Sequence, residues 1–334
     1  MTANQVTLAR IALLPIPCAM LLFADSMWHW VGFFLLVFLG MTDFVDGMMA
    51  RREGPTKLGG LLDPAADKIM MAAITLTLSG NGWVPAWIPV AILSREFLVT
   101  VLRSSVSLRN RQVKTSVLAK IKTIVQMGGF GTVFMTLFLE QKTAMAVAVF
   151  WCAFFVITWI YWVLWRKTRA PYWAMPVGAS FLYWFILLSF FNTQTTILCL
   201  CLVIVGITWV SALDYLKTSY SVLRDSGLDR RDGARLFWAL SQGVLVISVA
   251  SLNPRFILPV LVSIAFELCL GGIDNIAVAE NKSLKLRLFV TTGLMGCLFA
   301  VIQTQMMAIL LVPVSFCICL FAAREVTWRF FPDQ

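Results

Sequence analysis

The chain has 334 residues, of which 60% are hydrophobic and 13% charged, with a mean hydropathy of +0.84. This composition lies outside the soluble range and describes an all-α polytopic membrane protein. The formal charge of +10 comes without a soluble basic face of base-reading or stacking residues, so no nucleic-acid partner is expected. The basic residues read instead as topology signals and as attractors of membrane lipids or anionic substrates.

Apolar runs follow in chain order at about residues 8–24, 28–50, 61–79, 83–105, 118–139, 144–165, 172–191, 194–215, 234–252, 255–272, 286–304 and 306–323. Each comes close to the ~20 residues that cross a bilayer as a helix. The opening MTANQVTLARIALLPIP carries no small-residue cleavage site and reads as an uncleaved first helix. With the N-terminus in the cytoplasm, the inner connections carry Arg51, Arg52 and Lys57, then Arg103, Arg109, Arg111 and Lys114, then Arg166, Lys167 and Arg169. Lys217, Arg224, Arg230, Arg231, Lys282 and Lys285 continue the pattern, while the outer connections hold only Lys142 and Arg255 of the 27 basic residues. That asymmetry puts both termini on the cytoplasmic side, with Trp28, Trp30, Trp83 and Trp87 as anchors at the outer interface. His29, the single histidine, sits among those tryptophans and reads as a bystander. The eight cysteines all lie in apolar runs without a C-x-x-C, and read as small buried hydrophobes rather than disulfides or metal ligands.

Against this apolar background, four aspartates stand out in the second and third runs. Asp43, Asp46, Gly47 and Ala50 fall at i, i+3, i+4 and i+7, one face of a helix, and Asp63 and Asp67 share a face of the next. Carboxylates at membrane depth are costly and mark function. Two facing pairs repel unless a cation lies between them, and an all-oxygen site suits a hard divalent ion such as Mg²⁺ or Mn²⁺. The competing structural reading is ion pairing with Arg51, Arg52 and Lys68 at helix ends. Gly47, Gly59 and Gly60 would let helix backbones and a phosphorylated ligand approach closely.

The pattern D-x-x-D-G-x-x-A-R followed by G-x-x-x-D-x-x-x-D, here Asp43, Asp46, Gly47, Ala50, Arg51, Gly59, Asp63 and Asp67, resembles the signature of the CDP-alcohol phosphatidyltransferase family. One departure is the loop from 52 to 58, seven residues where the family usually has eight or nine. The opening from Asn4 through Thr7 and Arg10 to Pro15 is similar to the phosphatidylglycerophosphate synthase branch. So are Arg95–Glu96 followed by Leu102–Arg103, and the segment Ala119-Lys120-Ile121-Lys122-Thr123 to Gln126, with alanine at 119 where glycine is usual. The likeness covers about residues 4–165. It implies a six-helix bundle over 1–168; past the Arg166–Pro171 segment, about six further transmembrane helices form a domain of unknown function over 172–334.

The resemblance also implies a chemistry: a phosphatidyl group passes from CDP-diacylglycerol to glycerol 3-phosphate, releasing CMP. Asp43, Asp46, Asp63 and Asp67 would hold Mg²⁺ or Mn²⁺, and Asp67 would take the proton of the acceptor hydroxyl. Asp43, Gly47, Ala50, Arg51 and Gly59 would bind the CDP moiety. Arg103, Lys120 and Lys122, with Arg95 as a further candidate, would bind the acceptor phosphate; topology setting is the rival role for the first three, and a buried Arg95–Glu96 ion pair the rival for the fourth. The family implies a homodimer; the expected location is a bacterial cell (inner) membrane, where the basic-loop asymmetry places the aspartate cluster on the cytoplasmic face. The alternatives are the same chemistry on another acceptor, such as inositol phosphate or phosphatidylglycerol, and a transporter, although transporter sites lie nearer the midplane than these helix-end aspartates. Asp214 and Glu267 are thin support for a second site, and no histidine follows His29 to serve a histidine-dependent phosphatase.

Overall fold

The computed structural model describes residues 2–54, 59–107, 117–164 and 174–226, together with the helical positions 257, 260, 261, 264 and 268. The elements are α1 (Ala3–Leu13), α2 (Pro15–Phe23), α3 (Ser26–Glu53), α4 (Gly59–Gly80), α5 (Trp87–Ser107), α6 (Val117–Phe138), α7 (Gln141–Leu164), α8 (Ala174–Phe190) and α9 (Thr193–Ser226). No strand occurs among the described residues. The protein is an all-α polytopic membrane protein. Among the described residues, five stretches are long and apolar enough to cross a bilayer: Ala3–Phe23, Ser26–Met49, Ile121–Phe138, Gln141–Trp162 and Thr193–Val222. The predicted runs at 234–252, 286–304 and 306–323, and all but those five positions of 255–272, lie outside the described residues.

Local chemistry explains the helix ends. Thr2 precedes α1, and its backbone N–H donates to the Gln5 side-chain oxygen at 3.0 Å, a cap for the first turn. The predicted single helix over 8–24 starts earlier, at Ala3, and is divided at Leu14. Pro15 has no N–H to continue the first helix but is well suited to the first position of the second. Helix α3 ends at Glu53, where Gly54 takes the left-handed conformation (φ +93°) that terminates helices.

The chain forms two compact units. The first comprises Met1–Ile16, Leu36–Ala73 and Arg255–Gln334. Its described core draws on α1, the later part of α3 and the earlier part of α4, with Leu14, Leu39, Leu62, Ala66, Ile69 and Met70 buried. The second comprises Pro17–Leu35 and Ile74–Pro254. In it α9 packs against α5, α6 and α8, and α8 also packs against α6 and α7. Close approach of α6 and α9 occurs at Gly129, where an added Cβ would come within 2.7 Å of the Ile204 side chain. Trp184 is fully buried and its indole N–H donates to the Thr136 hydroxyl at 2.8 Å. His29 belongs to an aromatic cluster, edge-on to Trp83 with centroids 5.4 Å apart and stacked with Phe138 at 5.9 Å. Cys18, Cys152, Cys199 and Cys201 are free thiols. Helix α7 leaves Phe150, Phe154, Ile157 and Leu164 exposed, an apolar surface suited to lipid rather than water.

Candidate active site

The acidic residues assemble in the first unit on a three-helix frame. Helical periodicity places Asp43 and Asp46 one turn apart on α3, and the i, i+3 spacing of Thr7 and Arg10 gives α1 one polar face. The Arg10 guanidinium joins the two aspartates: Nη1 donates to Asp43 Oδ1 at 2.7 Å and Nη2 to Asp46 Oδ2 at 3.0 Å. Arg10 and Asp46 are buried, at 3% and 4% exposure, whereas the Asp43 side chain is 48% exposed. Helix α4 contributes Asp63. The Thr7 hydroxyl lies 3.0 Å from Asp46 Oδ2, 3.4 Å from Asp63 Oδ1 and 3.2 Å from the Ala3 carbonyl, with one proton to serve them. Asp67 follows one turn along α4 and is exposed, as is Asp63.

The electrostatics are unbalanced. Within this group of described side chains, three carboxylates, Asp43, Asp46 and Asp63, face one guanidinium, that of Arg10. Asp63 meets the repulsion of both Asp46 and Asp43, relieved in part by Arg10. A hard divalent cation would add positive charge and accept all-oxygen ligation, so the donor chemistry fits one. Among the described residues, no three acidic side chains are already gathered into a ligand set. The forked guanidinium instead spans Asp43 and Asp46, and its buried Nε finds no hydrogen-bond partner among the described residues.

The remaining motif residues border this cluster along the chain. Among the described residues, a Cβ added at Gly47 would meet no atom within 4 Å, so none of them requires glycine there. Arg51 is exposed in the last turn of α3, where a cation also favours the negative end of the helix dipole. Gly59 is the first residue of α4. Ala50 lies in α3, but its side chain is outside the described ones.

A second polar cluster forms in the other unit. Arg95, buried on α5, donates from Nη1 to Glu96 Oε1 at 3.1 Å, from Nε to the Thr208 carbonyl at 2.9 Å and from Nη2 to the Ser211 hydroxyl at 2.7 Å. Lys122 of α6 donates to the same Glu96 oxygen at 2.7 Å. The Arg95–Glu96 ion pair expected as the structural alternative is therefore present, and it extends to Lys122. Arg103, two turns along α5, is exposed, with its Cζ 5.7 Å from the centre of the Tyr215 ring on α9. Lys120 lies in α6 with its side chain outside the described ones, as is the Asp214 side chain on α9, and Glu267 is not among the described residues.

Two site residues, Thr7 and Arg10, were missed by sequence reasoning, which used their segment only as a mark of kinship. The available signal was an arginine inside the first apolar run, which needs a carboxylate partner as much as the aspartates need a cation.

Residues 1–159 match the family model for CDP-alcohol phosphatidyltransferase. A Bacillus subtilis (strain 168) relative named CDP-diacylglycerol--glycerol-3-phosphate 3-phosphatidyltransferase is 38% identical, over 37% of this chain and 70% of its own length. A Rickettsia typhi protein of the same name is 37% identical over 37% of this chain and 70% of its own length. A Mycobacterium tuberculosis (strain ATCC 25618 / H37Rv) protein named probable phosphatidylglycerophosphate synthase is 35% identical over 39% of this chain and 63% of its own length. No solved structure matches the chain.

Proposed function

This chain belongs to the CDP-alcohol phosphatidyltransferase family, and from that premise we propose that it transfers the phosphatidyl group of CDP-diacylglycerol to glycerol 3-phosphate, giving phosphatidylglycerophosphate and CMP. The observation that carries the reading is the convergence of Asp43, Asp46 and Asp63, from α3 and α4, on Arg10 and Thr7 of α1. An excess of negative charge held at a helix junction, beside an open glycine, suits a cation-bridged pyrophosphate better than a structural ion pair. Asp43, Asp46, Asp63 and Asp67 would hold Mg²⁺ or Mn²⁺, which when bound offsets pyrophosphate charge and makes the acceptor alcohol more acidic.

The chain's own residues supply the rest. Asp67 accepts the proton of the acceptor hydroxyl as its oxygen bonds to the β-phosphorus; the bond from that phosphorus to the bridging oxygen breaks and CMP leaves. Asp43, Gly47, Ala50, Arg51 and Gly59 receive the CDP moiety, with Arg51 paired to a phosphate. Arg103, Lys120 and Lys122 hold the acceptor phosphate, whose double charge calls for fixed cations. The same reading assigns the transfer chemistry to residues 1–168 and has 172–334 as an additional membrane domain. It further takes the protein to be a homodimer in a bacterial inner membrane, with the aspartates at the cytoplasmic face; the basic-loop asymmetry supports that orientation.

Purified full-length protein, labelled CDP-diacylglycerol and a panel of acceptors test the assignment. Phosphatidylglycerophosphate should form rapidly with glycerol 3-phosphate, and product with inositol phosphate or phosphatidylglycerol only slowly. Turnover confined to inositol phosphate would overturn the acceptor, and no CMP release with any acceptor would overturn the chemistry.

Gly47 provides an independent check on donor binding. A helix-interior glycine costs about 1 kcal/mol relative to alanine, and among the described residues no neighbour within 4 Å demands it. Gly47→Leu should therefore leave thermal stability unchanged or raise it, while increasing KM for CDP-diacylglycerol about tenfold or more by filling the nucleotide space. An unaltered KM would remove Gly47 from the donor site.

A further inference from the structure

We infer that α9, which lies beyond the residues matching the family, positions the cations that recognise the acceptor phosphate; this rests on the assignment of Lys122 and Arg103 to that phosphate. The polar atoms between α5, α6 and α9 are buried: Arg95, Glu96, Gln126, Thr208 and Ser211 are each 7% exposed or less. Helices that only need to adhere inside a membrane can do so through small and apolar side chains. Here α9 instead supplies the Thr208 carbonyl and Ser211 hydroxyl to Arg95, and the Thr208 hydroxyl accepts from Gln126 Nε2 at 2.8 Å. In turn, Trp209 of α9 donates its indole N–H to the Ala91 carbonyl of α5 at 3.2 Å.

The consequences fall on two cations. The Arg95 guanidinium is engaged at Nε, Nη1 and Nη2, so it serves as a strut that fixes Glu96 rather than as a ligand for substrate. Glu96 then fixes Lys122, whose side chain is 13% exposed and is the accessible charge of the group. Among the described side chains of this group, two cations, Arg95 and Lys122, share one carboxylate, Glu96. An ammonium has three donors, and one bond to Glu96 does not exhaust them. Arg103 is held by α9 separately, through the Tyr215 ring. Thus α9 reaches Lys122 through Ser211, Arg95 and Glu96, and Arg103 through Tyr215. Ser211 and Tyr215 act as positioning residues, without touching substrate.

Steady-state kinetics of the full-length protein test this. Ser211→Ala and Tyr215→Leu should each raise KM for glycerol 3-phosphate about five- to tenfold, with kcat and KM for CDP-diacylglycerol within about twofold of wild type. Ser211→Thr and Tyr215→Phe, which retain the hydroxyl and the ring, should restore KM for glycerol 3-phosphate. A role in folding alone would lower the yield of active enzyme and leave both KM values unchanged, which would overturn the inference, as would equal rises in both KM values. If Ser211→Ala does not fold, Tyr215→Leu and Tyr215→Phe decide the matter on their own. A wild-type enzyme that turns over with another acceptor but not with glycerol 3-phosphate would refute the functional reading beneath it; normal wild-type kinetics with an indifferent Tyr215→Leu would refute only the role of α9.

Discussion

Asp67→Asn is expected to reduce CMP release about 10²–10⁴-fold while leaving the helices intact, the range associated with loss of a general base. Asp67 is exposed in the third turn of α4, and asparagine preserves its shape, so the helix should stay folded. The two roles proposed for this carboxylate fail together: asparagine neither accepts the proton nor carries charge toward a cation. Circular dichroism and a thermal melt of the purified variant would separate loss of chemistry from loss of fold. Turnover within a few-fold of wild type, with stability unchanged, would remove Asp67 from the reaction.

Arg10→Ala should make the fold depend on divalent cations. Wild-type Arg10 neutralises Asp46, which is only 4% exposed, and bridges it to Asp43. Removing one member of a buried ion pair leaves an uncompensated charge and costs about 3–5 kcal/mol. A melt in chelator should therefore show a much lower Tm for the variant, with Mg²⁺ or Mn²⁺ recovering most of the loss and giving the wild type a smaller gain. Arg10→Lys should fall between them, because a point charge cannot fork across two carboxylates as a guanidinium does. A variant that melts like wild type in chelator would show that Arg10 is not the counter-charge of the cluster.

The legible parts of this protein are those where polarity contrasts with an apolar background. Asp43, Asp46, Asp63 and Asp67 stand out for that reason, and their helical spacing already places them on helix faces. Helices through α9 fall on the apolar runs, but among the described residues α4, α5 and α8 do not reach the length and apolarity of a bilayer span: charged residues interrupt α4 and α5, and α8 has only 17 residues. Helix α9 continues to Ser226, past the end expected at 215, because a helix does not need to stop where its side chains become polar. The break before Pro15 falls within the apolar stretch that follows Arg10, where hydropathy gives no sign of it.

What could not be read was the pairing of distant positions. Thr7 and Arg10 lie 39 and 36 residues from Asp46 along the chain, and spacing within one helix does not say which neighbour its polar face will meet. The same limit hid α9: Thr208 and Ser211 look like unremarkable small polar residues of a membrane span until Arg95, more than 110 residues away, is placed against them. The Arg166–Pro171 segment marks a connection, but it carries no information about the surface the following helices cover. Helices α8 and α9 pack with α5, α6 and α7 in the second unit.

The most direct measurement is CMP release from CDP-diacylglycerol by the purified full-length protein, with glycerol 3-phosphate present and Mg²⁺ or Mn²⁺ titrated against a chelator. Release that is absent in chelator, rises to saturation with the cation and matches phosphatidylglycerophosphate formation one for one would agree with a cation held by the aspartates. Undiminished release in excess chelator would contradict it.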